Sequence, residues 1–406
     1  MVALDIGSHT IKAAMAEVLG LDHINVLGIS SLPAKGIKKG HIVDIEAAAQ
    51  GMEEALNALE RLTGVEINGA LIGFSGTSLS TLNNHTVVAV GTPSYEISPE
   101  DKNRVLQSAR NISLPPDKGI VQTVERQYII DGYDGVKEPI GMVGSRLEAE
   151  ITVVVAAVAA VQNLQRSAGR INLEVEGLVF NPLLTSEAVL MPTEMEMGVA
   201  LVDIGGGTID VSVFERGSLL CASVLPLGGE HITRDLAIIL KTSLEEAASL
   251  KEQSDICSLR PEDSAAEEGF VDVRDVQGQG GRQVSQQLVT EIISARVLEI
   301  AQMVYAELRQ SDSLERIPAG IVLTGGGAEL SGTTSLFEDY LGMPVRLGTP
   351  DRVPGLAGEY RQPRFGAVVG GLMCAARHVE PRKIESKRGL SGLFDRMGDW
   401  YKDFFR

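Results

Sequence analysis

Two stretches of this chain are copies of one pattern: "VALDIGSHTIK" at residues 2–12 and "VALVDIGGGTID" at residues 199–210. Each is an apolar run followed by Asp-Ile-Gly, two further turn residues, Thr-Ile and a charged residue. Each continues into alternating apolar positions, "AAMAEV" and "VSVFERG". The pattern predicts a strand, a tight glycine turn and a second strand, a β-hairpin, at both places. A third glycine turn, "IVLTGGGAEL" at 321–330, also follows an apolar strand. A hairpin repeated about two hundred residues apart predicts a duplicated fold with one copy opening each half. The length, 406 residues, suits two to four domains or subdomains.

The turns suit a polyphosphate. Glycines let the backbone approach phosphate oxygens, and successive N–H groups form an anion-binding concavity. Gly7, Gly205, Gly206, Gly207, Gly325, Gly326 and Gly327 supply such backbone, and Ser8, Thr10 and Thr208 add hydroxyl donors. Asp5 and Asp203 repel phosphate but suit a Mg²⁺ ion, directly or through its waters. Lys12 can neutralise phosphate charge, and His9 stands inside the first turn. Neither GxxxxGKT nor GxGxxG occurs in a strand-to-helix context, which disfavours those two nucleotide folds.

The remaining composition narrows the class. The net charge of −18 argues against nucleic acid as a partner. No run of eighteen apolar residues is present, and "ITVVVAAVAAV" (151–161) reads as a buried strand entering a helix. No secretion signal opens the chain, and Cys221, Cys257 and Cys374 are widely spaced without a CxxC, which fits a reduced, cytosolic compartment.

In the order "DIGSHTIK", "DIGGGTID", "TGGG", the chain resembles the actin-like ATPase superfamily, with its two phosphate loops and adenosine loop. The phrases "GVALVDIGGGTIDVSVFERG", "PLGGEHITRDLAIILKTSLEEAASLK", "VLTGGGAELSG", "PVRLGTP" and "FGAVVGGLM" narrow the resemblance to its FtsA family. That resemblance implies an actin-like two-lobed α/β fold, a duplicated ribonuclease-H-like core with an inserted small α+β subdomain and a C-terminal amphipathic helix. It implies a first core subdomain at 1–82, continued at 164–195 and 361–380, and an insert at 83–163. The second core subdomain would occupy 196–227 and 301–360, and its outer lobe 228–300. A linker at 381–389 would lead to the helix at 390–406. Family members generally carry several more residues ahead of the first strand, so either a clipped first strand or a misplaced start is expected.

Local patterns support these units. "SPEDKNRVLQSARNI" predicts a helix capped by Ser98 with Pro99 at its first position, and "TVVAV", "GIVQTVERQYII" and "RLEAEITVVVAAV" predict strands. "HITRDLAIILKTSLEEAASLK" and "QQLVTEIISARVLEIAQMVYAELRQ" predict helices, and "EQSDICSLRPEDSAAEEG" between them a solvated acidic segment.

By resemblance, ATP and Mg²⁺ bind between the halves, with Gly228 and Gly229 beside ribose and phosphates and Glu245, Glu246 and Lys251 toward ribose and base. Members that hydrolyse ATP quickly place a Gln or Glu before a proline ahead of the second phosphate loop. The matching stretch is "LVFNPLLTSEAVL", with Asn181 before Pro182 and Glu187 on the following helix. Asparagine is no general base and reaches less far than glutamine, so tight binding with slow turnover is expected; Asp5, Asp203 and Glu187 are the remaining catalytic candidates. The resemblance further implies a protein that polymerises at the cytoplasmic face of the membrane, at the division site. There its outer lobe takes the C-terminal tail of the tubulin-like ring protein FtsZ, and its insert contacts copies of itself and later division proteins. Other actin-like filament or pilus-assembly ATPases share the phosphate loops, as do sugar and acetate kinases, although a kinase has no reason for the terminal helix.

Residues 381–406 hold seven Lys/Arg and four Asp/Glu, a net of +3 on an acidic chain. At 100° per residue, Leu390, Leu393, Phe394, Met397, Trp400, Tyr401, Phe404 and Phe405 fall within one arc of about 140°, opposite the charged residues. The aromatic face, terminal position, polar linker "EPRKIESKR" and basic Lys387 and Arg388 form the pattern of an in-plane anchor on anionic lipid. Because Trp400 is the sole tryptophan, its emission is expected to shift to the blue on adding anionic vesicles, and removal of residues 388–406 to abolish sedimentation with them. An unshifted spectrum at vesicle excess, under polymerising conditions, would place the helix against protein instead.

Overall fold

The computed structural model describes residues 1–20, 23–91, 94–255, 269–276 and 280–378; the acidic segment expected between the outer-lobe helices lies largely outside them, and the terminal amphipathic stretch wholly so. The first half opens with β1 (Val2–Ile6), β2 (Thr10–Gly20) and β3 (His23–Pro33), then the short hairpin β4 (Ile37–Lys38) and β5 (His41–Ile42), helix α1 (Ile45–Thr63) and β6 (Gly69–Phe74). An excursion follows: β7 (Ser80–Ala89), α2 (Pro99–Arg110), β8 (Lys118–Ile130), β9 (Tyr133–Val136) and β10 (Arg146–Ala157). The chain returns through α3 (Val158–Arg170), β11 (Glu174–Phe180), α4 (Asn181–Val189) and α5 (Pro192–Met197). The second half runs β12 (Val199–Ile204), β13 (Ile209–Glu215), β14 (Ser218–Leu225), α6 (Gly229–Ile239), α7 (Leu244–Gln253), β15 (Phe270–Arg274), β16 (Gly281–Ser285) and α8 (Gln286–Gln310). It continues with β17 (Ile321–Thr324), α9 (Thr333–Leu341) and β18 (Val345–Leu347); α10 (Gly366–His378) then comes back onto the first half.

The duplication read from the two hairpins extends to whole sheets. The first sheet has the order β11-β6-β1-β2-β3, with β11, β6 and β1 parallel and β2 and β3 antiparallel. The second begins β18-β17-β12-β13-β14 with the same directions. Glycine is needed at one spot of each hairpin turn. A Cβ on Gly7 would stand 2.7 Å from the Thr10 carbonyl oxygen, and one on Gly205 3.0 Å from that of Thr208.

The excursion does not form a separate sheet. Strands β7, β10, β8 and β9 continue the second half's sheet beyond β14 into nine strands. The join is one bridge, Ser80 to Ser223, reinforced by Thr81, whose hydroxyl donates to the Ala222 carbonyl and accepts from the Ala222 N–H. The Thr152 hydroxyl donates to the Leu219 carbonyl at 2.8 Å, and Lys137 Nζ to that of Arg216 at 2.5 Å. Both faces of β10 are covered, which explains the unbroken apolar run. Ile151, Val153 and Val155 face one core with Val105 and Tyr128, while Val154 and Ala156 face the core of the first half. Helix α2 starts as expected, with Ser98 and Asp101 in a reciprocal capping box and Pro99 at the first position.

The segment 231–251 was expected as one helix and is two, α6 and α7. Lys241 adopts a left-handed backbone (φ 46°), the Thr242 hydroxyl donates to the Arg274 carbonyl, and Ser243 caps α7 through the Glu246 N–H. No glycine or proline announces this break. Helix α10 crosses α4 so closely that a Cβ on Gly370 would lie 1.8 Å from the Leu184 carbonyl oxygen. This crossing seats α4, and with it Asn181 and Thr185, beneath the two hairpins.

Candidate functional site

The turns of both halves open onto one cleft of about 530 Å³. Of the residues singled out in the sequence, Asp5, Gly7, Ser8, His9, Thr10, Lys12, Asp203, Gly205, Gly206, Thr208, Gly229, Lys251, Gly325, Gly326 and Gly327 line it, as does Asn181. Gly207 packs against Ser8 instead, and Gly228 backs onto the carbonyls of Gly205 and Gly206 at the start of α6. Glu245 and Glu246 stand in the first turn of α7, away from the cleft. Glu187 also lies outside the lining and pairs with Arg377 of α10 at 2.7 Å.

One end of the cleft is a buried carboxylate cluster. The hairpin registers pair Asp5 with Lys12 and, in the second copy, Asp203 with Asp210. The same cross-strand position therefore holds an opposite charge in one copy and a like charge in the other. Lys12 Nζ is 3.0 Å from Asp5 Oδ2. Asp5 Oδ1 accepts from the Asn181 side-chain amide at 3.0 Å, while Asn181 Oδ1 is buried without a partner. Burial, with Asp5 adding repulsion, pushes the Asp203 carboxyl up to about 6 against the pull of Lys12 and a long hydrogen bond from Thr185. Asp210 is raised well above its usual range by burial and by Asp203, although the Ser75 hydroxyl donates to it at 2.5 Å.

The other end is built by α6, α7 and the third glycine turn. Lys251 Nζ donates to the Thr233 hydroxyl at 3.0 Å and the Gly229 carbonyl at 3.4 Å, and burial lowers its pKa. Arg364 is clamped by Glu329, which also accepts from the Arg364 backbone N–H. Ile232 and Leu330 add apolar wall. Gly325 has φ +81°, and a Cβ there would stand 2.2 Å from Asp203 Oδ1, so the turn can press against the aspartate only as glycine. At Gly326 a Cβ would approach only the Arg364 Cβ, at 3.9 Å, leaving open cleft in front of it.

Sequence reading missed several lining residues. Asp210 was legible in principle, as the repeat counterpart of Lys12. Glu329 sits inside the quoted "TGGGAEL". Glu230 sits inside the quoted "PLGGEHIT", whereas Ser75, Glu252 and Arg364 lie in no motif and reach the cleft only through the fold.

A family model described as "Cell division protein FtsA" matches residues 200–370 of this chain. The FtsA of Pseudomonas aeruginosa is 38% identical over 373 residues, 92% of this chain and 88% of that protein. The FtsA of Neisseria meningitidis is 35% identical, with 99% and 98% covered. The chain belongs to the FtsA family. A second model, the "SHS2 domain inserted in FTSA", matches residues 76–155, from β7 into β10. The solved PilM–PilN type IV pilus biogenesis complex is similar at TM-score 0.64 and 18% identity, covering 94% of this chain and 98% of that one. MreB5 of Spiroplasma citri, solved with ADP, is similar at TM-score 0.53 and 13% identity, covering 92% and 94%. These two likenesses establish the actin-like fold of this FtsA-family chain. Among the described residues no helix is long and apolar enough to cross a membrane.

The carboxylate cluster gives a pH dependence of known sign. Unfolded, Asp203 and Asp210 release their protons near pH 4; folded, they hold them to higher pH, so the native chain binds more protons in between and loses stability as pH rises from about 4 through 6. Asp210→Asn keeps an acceptor for Ser75 and removes the like charge. Urea unfolding without nucleotide or divalent cation is expected to show the variant more stable by about 1–3 kcal/mol at pH 7, with the gain shrinking toward pH 4. A variant no more stable at pH 7 than the parent would refute this reading of the cluster.

Proposed function

We propose that this FtsA-family chain is an ATP- and Mg²⁺-binding adaptor that polymerises beneath the cytoplasmic membrane and tethers the FtsZ ring to it. The observation carrying the nucleotide part is the convergence of three glycine turns, two from one duplicated hairpin, on a single cleft that bears Lys12 and Lys251. The donor set fits the ligand at both ends. Gly326 leaves a backbone cradle that a side chain would fill. At the far end, Asp203 and Asp210 form a like-charge pair that a cation relieves. Asp5 and Asp203 would hold Mg²⁺, through its waters, and the ion would supply neutralisation of phosphate charge. The turns Gly7–Thr10 and Gly205–Thr208 would hold phosphates by N–H and hydroxyl groups, and Gly229, Lys251 and Gly325–Gly327 the nucleoside.

Turnover is slow in this reading. The Asn181 amide is committed to Asp5, so the position that orients water in faster relatives holds no base here. Glu187, facing Arg377, is no substitute. Membrane attachment rests on the aromatic face of residues 390–406. The FtsZ tail is assigned to the outer lobe, where Ile238, Ile239, Leu244 and Phe270 are exposed, a surface able to take an apolar peptide segment. The insert, with Tyr133 and Val143 exposed, is assigned to copies of the chain and to later division proteins.

Calorimetry with Mg·ATP tests the core of the proposal. Gly326→Asp places a carboxylate in the cradle without displacing protein, and is expected to weaken binding by 100-fold or more while leaving thermal unfolding unchanged. Phosphate release by the parent is expected well below about 1 s⁻¹, the low end of usual enzyme rates. Parent-like affinity in Gly326→Asp would remove the nucleotide from this cleft.

A further inference from the structure

The two facing turns have diverged in opposite directions. Aligned as repeats, Ser8 corresponds to Gly206 and His9 to Gly207. Across the cleft the partners are exchanged: a Cβ on Gly206 would stand 2.5 Å from His9 Cβ, and one on Gly207 2.9 Å from Ser8 Cβ. The first turn has thus become a pair of knobs and the second the socket that receives them. Ser8 is held in place by accepting from the Gly40 N–H at 2.9 Å. His9 reaches past the socket to the second half, where its Nδ1 lies 3.3 Å from Glu230 Oε1. Glu230 is itself tied to the socket, its backbone N–H donating to the Gly206 carbonyl at 2.9 Å. The bond from His9, against the opposing effect of burial, holds the Glu230 carboxyl below its usual range. Both side chains line the cleft, one from each half.

We propose that His9 and Glu230 form a clasp across the phosphate end of the cleft, which sets the rate at which nucleotide passes in and out. The inference rests on the nucleotide reading above. The two hairpins belong to different sheets, so parting the halves withdraws His9 from its socket and breaks the pair. A clasp of this kind slows uptake and release alike, and its loss changes rates more than affinity.

The test is release of a fluorescent ATP analogue, chased with unlabelled ATP in stopped flow, using the full chain with Mg²⁺. Because the His9 side chain is largely exposed, its pair with Glu230 is a weak one, and His9→Ala and Glu230→Ala are each expected to release about two- to fivefold faster. The double variant is expected to release no faster than either single one, and His9→Gln, which retains a donor toward Glu230, near the parental rate. Unchanged release in His9→Ala with affinity preserved overturns the clasp. So does a double variant whose effect is the product of the singles. A tenfold or greater loss of affinity in Glu230→Ala would make Glu230 a nucleotide-holding residue rather than half of a clasp. Failure of the parent to bind the analogue overturns the nucleotide reading, and the clasp with it.

Discussion

Three carboxylates facing one ammonium, at the seam where the duplicated hairpins meet, are the constraint around which this molecule is arranged. Burial and mutual repulsion raise the carboxyls of Asp203 and Asp210 above their usual range. Lys12 and the Asn181 amide answer Asp5, the Ser75 hydroxyl answers Asp210, and a long bond from Thr185 answers Asp203. These partners come from β2, from the residue after β6 and from α4, so the charge problem fixes the packing of α4 and the ends of β1, β6 and β12 around one point. The close crossing of α10 over α4 at Gly370 is part of the same arrangement, since it sets the height at which Asn181 and Thr185 arrive. In the proposed function, a cation held at this seam would relieve that charge.

Much of the architecture was legible because the duplication is written at its most restrictive positions. Asp-Ile-Gly followed by Thr-Ile appears twice, and the turn needs glycine both times for the same close approach to a threonine carbonyl. The antiparallel pairing of the first two strands in each half follows from there, while the parallel strands beside them are set by chain returns that no local pattern marks. The break between α6 and α7 was hidden because Lys241 takes the left-handed backbone without a glycine to mark it. The continuity of the insert with the second sheet was hidden for another reason. One backbone bridge and scattered bonds from Thr81, Thr152 and Lys137 make that join, and none of them leaves a pattern along the chain.

The site was legible in its backbone and less so in its side chains. Glycine turns advertise themselves, and fifteen of the residues they and their neighbours suggested do line the cleft. The α7 carboxylates show the limit. Glu245 and Glu246 belong to the right helix at its far end, while Glu252, about two turns on and roughly 10 Å along the axis, reaches the cleft. Arg364 and Ser75 carry no local signal at all, because their role depends on the return of the chain from distant segments.

The nine-stranded sheet has a mechanical consequence. The insert is threaded from the first half, leaving at β6 and returning at α3, yet its strands hydrogen-bond to the second half at β14 and its Lys137 reaches the Arg216 carbonyl. It therefore straddles the hinge like a strap sewn to one panel and buttoned to the other. A rotation of the halves must either undo the Ser80–Ser223 button or carry the strap along. In the second case the β8–β9 hairpin travels with the second half, to which Gln127, Asp134 and Lys137 also tie it through Arg216, and the whole load of the rotation falls on the two crossings at β6–β7 and β10–α3.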